Sequence, residues 1–276
     1  MIGSPIKRAR FALGAFAAFS TFCTLACEPV AQPGVLHDGV FCLDHDVDAT
    51  GVNVVFQLHD NTTLDCQGHS IRDPSGRVNF AVWSNRADNV VVKNCTFDGF
   101  WMPIQLVQTT NYRVENNQFS NTWGPTSMSL DGSEGFIARN VVRSRPQNYN
   151  WDAVQIQGTA DSIGNTVIMG SDDIGAGDYR NGILAYGDGV VANNVVQAKA
   201  SPGGGGAGFY VQFSLAYRNV FVSEPQGFRV GIACYEESFR FGNVVVGSSP
   251  YAEPGCRTNT SSGLKPGGAN GLASRH

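Results

Sequence analysis

GVVANNVV, residues 189–196, sets an asparagine pair between two short valine runs, and variants of the phrase recur along the chain. They are VVVKNCTF (90–97), YRVENNQF (112–119), GFIARNVV (135–142), DSIGNTVI (161–168), LAYRNVFV (215–222) and FRFGNVVV (239–246). Taking Asn94, Asn117, Asn140, Asn165, Asn194, Asn219 and Asn243 as equivalent gives gaps of 23, 23, 25, 29, 25 and 24 residues. A period in the twenties marks a coil made by stacking one unit on the next, because no unit buries its apolar face alone.

A second strand family precedes the asparagines: NFAVWSN, PIQLVQ, TSMSLDG, DAVQIQG, NGILAYG, AGFYVQF and RVGIACY. Each alternates, so one face turns in and the other out. Val82, Ile104, Met128, Val154, Ile183 and Phe209 form one predicted inward column. Leu106, Leu130, Ile156, Ala185 and Val211 form a second. The pattern predicts an all-β chain wound as a single-stranded, right-handed parallel β-helix (solenoid) of about nine rungs with a capped N-terminus. A carboxamide has two donors and an acceptor, so asparagines stacked at one turn are predicted to bond to the rungs above and below.

Charged residues make up only 15% and Gly accounts for 33 of the 276 residues, a composition suited to stacked strands and tight turns. The net charge of −4 provides no basic field for nucleic acid. Residues 1–26 read as an export signal: Lys7, Arg8 and Arg10 precede an apolar run from Phe11 to Phe22, followed by small Thr24 and Ala26. That run is too short to span a bilayer, so no integral membrane segment is expected after cleavage. Export to the periplasm or the medium is therefore expected. Cleavage would leave Cys27 first, which raises a lipid anchor as the alternative, although Thr24 stands where a lipobox has Leu. Residues 27–60 are then the cap, 61–256 the coil, and 257–276 a Gly/Ser/Asn-rich tail expected to be disordered. One elongated, monomeric body is expected.

Six cysteines remain after the signal, an even number suited to an oxidising compartment. Residues one turn apart stack at about 4.8 Å, within disulfide range. Cys66 and Cys95 are 29 apart and Cys234 and Cys256 are 22 apart, each close to one turn. Cys27 and Cys42 pair by elimination, with Cys42–Cys66, 24 apart, as the competing arrangement.

TTLDCQGHSI (62–71) resembles the "LDL-x-GH-x-I" opening rung of bacterial parallel β-helix proteins, the pectate-lyase-like superfamily with NosD-type repeats. CEPVAQPGVLHDGVFCLDHDV (27–47) is similar to the Cys-bracketed cap of that family, which supports Cys27–Cys42 over lipidation. The resemblance implies the fold over roughly residues 27–256. It implies no single chemistry, since the family includes lyases, hydrolases, epimerases and non-enzymatic modules.

The outward positions of the mapped strands read Gln105, Ser129, Gln155, Leu184, Tyr210 in one column and Val107, Asp131, Gln157, Tyr186, Gln212 in the other. Amides and Tyr rings in rows suit a carbohydrate chain, which makes Gln105, Gln155, Gln157, Tyr210 and Gln212 the predicted polysaccharide-binding residues. Asp131, Arg180 and Tyr186 are the candidate catalytic set for lyase chemistry: an acid or base pair and a cation for a sugar carboxylate. A hydrolase would need two carboxylates about 5 to 9 Å apart, for which Asp131 and Asp152 are the candidates. Asp172, Asp173 and Asp178, in the long insertion MGSDDIGAGDYRNG, could hold Ca2+, the one cofactor these residues point to. Of the family's hydrolase motifs only the acidic pair Asp172–Asp173 has a counterpart, and no "DPHD" epimerase motif occurs. His37, His45, His59 and His69 fall in the cap and first rung and His276 ends the chain, so no His stands on the middle rungs as a general base. The expected function is an exported β-helix protein that binds or modifies a polysaccharide, as a lyase or glycoside hydrolase. The alternative is a non-catalytic structural or surface-exposed β-helix module.

Overall fold

A computed structural model describes residues 27–144, 151–169, 179–198, 206–223, 230–236, 238–247, 249–252 and 256–258. Among them the chain is all β, and its strands pair in parallel, each with its counterpart one turn before and after. One wall is a nine-stranded sheet taken in strict chain order from Val47–Asp48 to Val244–Val246. The remaining strands form a second, continuous sheet around the coil. The result is a right-handed parallel β-helix. Pairing reaches back into the segment expected to be a cap: Gly34–Leu36 pairs with Val54–Leu58, and Gly39–Cys42 with Thr62–Asp65.

The inward columns follow the alternation. Val82, Ile104, Met128, Val154, Ile183 and Phe209 are register partners in succession, and Ile232 extends them. Leu106, Leu130, Ile156, Ala185 and Val211 stack beside them and continue to Cys234. Both columns are buried. The nine-stranded sheet adds a third, which includes Ile71, Phe97, Phe119, Val142, Val167, Val196 and Phe221, with the Phe97 and Phe119 rings 5.1 Å apart. Stacking like on like buries each rung between two neighbours, and this burial dominates the stability of such a coil.

The asparagine ladder is present from Asn117 to Asn243. Each Oδ1 accepts from the backbone N–H and the Nδ2 of the asparagine one turn earlier, at 2.8–3.1 Å, through Asn140, Asn165, Asn194, Asn219 and Asn243. Each Nδ2 also donates to a carbonyl of the preceding turn, such as Val114 O from Asn140. Asn94 is not a member, which corrects the first step of the repeat. The Oδ1 of Asn117 accepts from the N–H of Cys95. Asn94 instead holds the preceding, left-handed position (φ 56°), as do Asn116, Arg139, Gly164, Asn193, Arg218 and Gly242 in later turns. Cys95 thus occupies the ladder position of its turn, and a disulfide joins it to Cys66 one turn earlier, with Cα atoms 4.7 Å apart. Where the Asn column stops, a covalent link takes its place.

Cys27 and Cys42 form the second disulfide, which sets aside the Cys42–Cys66 alternative. It also occupies the sulfur that a lipid anchor would need. Cys234 is disulfide-bonded as well; the side chain of Cys256, its expected partner, lies outside the described residues.

Strand organisation changes along the coil. Early turns use separate strands, such as Ile104–Thr110 and Arg113–Glu115. Later turns merge the two into Met128–Ala138, Trp151–Ile163, Tyr179–Ala192 and Ala207–Tyr217. The merged strands bend at stacked glycines, where a Cβ on Gly158 would lie 1.8 Å from the Gly132 carbonyl oxygen.

Candidate functional site

The outward strip lies on the face where the predicted columns were drawn. Gln57, Trp83, Gln105, Ser129, Gln155, Leu184, Tyr210 and Ala233 are successive register partners in one column. Asp131, Gln157, Tyr186, Gln212 and Tyr235 are partners in the other, and Val107 pairs with Asn85 on the N-terminal side. Gln105, Gln155, Tyr210 and Gln212 are partly exposed and Gln157 is exposed. Leu184 breaks the first column, being only 4% exposed despite its outward register.

The C-terminal end of the strip is aromatic. Tyr186 and Tyr210 meet edge to face at 5.6 Å between ring centroids, and Tyr210 stacks on Tyr235 at 5.1 Å and 21°. Tyr186 and Tyr235 are exposed by 36% and 49%, so both flanks of the group are open to a ligand. Burial raises the Tyr210 phenol well above its usual range, reinforced by both neighbouring tyrosines, a hydrogen bond with Tyr186, and Glu236. That phenol is a neutral hydrogen-bonding group at physiological pH and not a base. Gln212 donates from Nε2 to Glu236 Oε2 at 3.1 Å, which holds its amide beside the rings.

The candidate catalytic residues are spread out. Asp131 and Tyr186 share a column with Gln157 between them, which puts their Cα atoms two rungs or about 10 Å apart. Arg180 is the extra residue where the register shifts beside Trp151 and Asp152, and its side chain is outside the described residues. It precedes Tyr186 by six positions on one strand, a run of roughly 20 Å. Asp152 is buried and accepts from Asn181 Nδ2 at 2.7 Å, five positions before Gln157, the register partner of Asp131. That offset of about 17 Å exceeds the separation of a glycosidase carboxylate pair. Asp172, Asp173 and Asp178 lie outside the described residues. Among the described residues no group of three or more His, Cys, Asp or Glu is arranged to hold a metal ion.

Trp83 and Tyr235 are members of the strip that sequence reasoning passed over. Both were legible: NFAVWSN and RVGIACY alternate like their neighbours, and extending each column by one or more strands reaches them. The strip itself is an open face. Two polar hollows of about 440 and 510 Å3 lie elsewhere, between the N-terminal turns around Gln67 and Gln118 and around Asp73 and Trp123.

No protein-family model matches the sequence, and no curated protein matches it. Among solved structures the chain is similar to the surface protein and adhesin PfbA of Streptococcus pneumoniae, with 12% identity over 83% of this chain and 77% of that one and a TM-score of 0.49. It is also similar to the A-module of the mannuronan C-5 epimerase AlgE4 of Azotobacter vinelandii, with 12% identity, coverage of 82% and 90%, and a TM-score of 0.31. The corresponding AlgE6 module gives 12% identity, coverage of 82% and 89%, and a TM-score of 0.30. Similarity at this level carries no inference about activity. The class, a parallel β-helix with an aromatic-ended polar strip on one face, rests on the strand register and the ring geometry of this chain.

Proposed function

We propose that the protein is exported and binds a neutral polysaccharide lengthwise along the strip from Trp83 to Tyr235. The observation that carries this reading is the group of Tyr186, Tyr210 and Tyr235 on successive turns, with open flanks next to the Gln212 amide. Aromatic rings cover the apolar faces of sugars, and amides exchange hydrogen bonds with hydroxyls. Gln105, Gln155, Gln157 and Gln212 supply those amides in this reading. From Asp131 to Tyr235 the described side chains of the strip include two carboxylates, Asp131 and Glu236, and no cation, while Arg86 stands at the Trp83 end and donates to Gln108. An acidic glycan would meet like charge there, which favours a neutral one. Export is supported by the two disulfides and by bonded Cys234, since such links persist in oxidising compartments.

Affinity electrophoresis of the protein through gels containing neutral glucans, mannans, xylans, pectate or alginate tests the reading. Retention by a neutral polymer is expected, and Tyr210→Ser combined with Tyr235→Ser is expected to weaken it by about tenfold or more. In this binding reading no new reducing ends or unsaturated products are expected. Absence of retention on every polymer would sink the binding reading and leave a structural module.

A further inference from the structure

The outward faces change character along the coil in a way the carbohydrate strip does not explain. The outward column that ends at Phe241 begins with Asp65, Lys93 and Glu115, which are held in ion pairs. Beyond Ala138 and Ile163 it becomes Ala192, Tyr217 and Phe241. On the nine-stranded sheet, Thr96 and Gln118 give way in the same manner to Val220 and Val244. In the last turns Phe239, Phe241, Val244, Val246 and Val222 are 38–52% exposed on either side of the Gly242–Asn243 corner, where exposed Arg218 of the preceding turn lies beside Gly242 with its guanidinium 4.7 Å from the Tyr217 ring centroid. With about 150 to 200 Å2 per side chain, this leaves roughly 400 Å2 of apolar surface open, within the range of the largest patch on a monomer, which is often functional.

We infer that a second copy of this chain covers this patch, forming a dimer through the C-terminal turns. A standard interface takes about 800 Å2 from each partner and is about 65% apolar in homodimers. The five exposed side chains, with partly exposed Leu215, Tyr217 and Val220 beside them, supply an apolar area of that order. An isologous contact sets the same surface against itself. The eight side chains are uncharged, the charge beside them is Arg218 with its guanidinium over the Tyr217 ring, and flat faces of Val and Phe pack on their like as stacked sheets do. The chain's own C-terminus is a poor cover: residues 259–276 contain only Leu264 and Leu272 as large apolar side chains. The monomer expected from sequence is replaced by a dimer in this inference.

Light scattering after size-exclusion chromatography of the full chain, across a concentration series, tests the inference. Twice the chain mass is expected at high concentration, with dissociation on dilution. Val246→Asp, at the exposed end of its strand, is expected to raise the dissociation constant by about tenfold or more. Tyr235→Ser, on the glycan strip, is expected to leave it unchanged. Val244→Asp is a second probe, and circular dichroism confirms that each variant retains the β-coil. A single chain mass at every concentration overturns the inference, whether the protein stays free or floats with phosphatidylcholine vesicles. An unchanged dimer in folded Val246→Asp overturns it as well.

Discussion

The turns before Thr122 and those after Met128 share one core and differ in almost everything outside it. Inward, both stack aliphatic and aromatic side chains in unbroken columns. Outward, the early turns are tied by bonds: the Cys66–Cys95 link, the Lys93–Asp65 pair, and Glu115 between Arg113 and Arg139. Asp73 adds a buried carboxylate that accepts from the amides of Ser75, Arg77 and Val78. The later turns use merged strands, close-packed glycines and the asparagine ladder, and their outer faces become apolar. A coil constrains only what points inward and what sits at its corners. Outward positions are free to differ from end to end, and here they differ in charge and in apolar exposure.

The largest expected effect breaks the early-turn device. Replacing both Cys66 and Cys95 by Ala is expected to cost about 3 to 4 kcal/mol, the chain-entropy value for a loop of this length. Denaturant midpoints of the oxidised parent and the variant measure it. Replacing Cys66 by Ala and Cys95 by Asn instead sharpens the comparison, since the N–H of Cys95 already bonds to Asn117 Oδ1. This Ala/Asn variant is expected to recover about 1 to 2 kcal/mol relative to the Ala pair. Equal stability of the two double variants would show that the disulfide and ladder positions are not interchangeable.

A smaller loss is expected from Asn165→Ala in the later turns. It removes the acceptor for the Asn140 N–H and the donor to Ile137 O, both buried, and is expected to cost about 2 to 3 kcal/mol in the same assay. Asn94→Gly, outside the ladder and at a left-handed φ of 56° that Gly adopts freely, loses the bond to Asp65 and is expected to cost under about 1 kcal/mol. A reversal of that order would refute the corrected register.

The smallest effect is in acid. Hydrogen bonding to Arg113 holds the Glu115 carboxyl below its usual range, against burial and with help from Arg139. At Asp73 burial works to raise the value, but the Ser75 hydroxyl and the three amides outweigh it and hold the group low. A carboxylate lowered on folding stabilises the fold above its unfolded pKa, near 4, and loses that contribution as pH falls through the folded value. Hydrogen exchange below about pH 4 is therefore expected to open residues 70–122 before the apolar later turns. Glu115→Gln is expected to flatten the acid dependence of the early turns. Opening of the later turns first would contradict the division between the two ends.

Much of this was legible from spacing. Alternation assigned the two inward columns residue by residue, because a strand offers only two faces and one of them must be apolar. The ladder was legible from Asn117 onward but misread at its start, since NCTF and NNQF both put an asparagine close to the turn. Only the hydrogen bond from Cys95 separates the left-handed position from the ladder position. The strip was legible in outline, and its aromatic end was cut one strand short of Tyr235. The register puts Asp131 and Tyr186 two rungs apart and Arg180 six positions before Tyr186, a separation that spacing hides because residues close in sequence on an extended strand are far apart in space.

The sequence alone determined the all-β coil, its period and its core columns. Each of these depends on a local rule, the two-residue alternation of a strand or the one-turn spacing of stacked partners, that repetition states many times over. The tertiary structure decided what lies outward. Ring angles among Tyr186, Tyr210 and Tyr235, the exposure of the last-turn Phe and Val side chains, and the burial of Leu184 all depend on neighbours one turn away. No single repeat contains those neighbours, so no reading of one repeat could supply them.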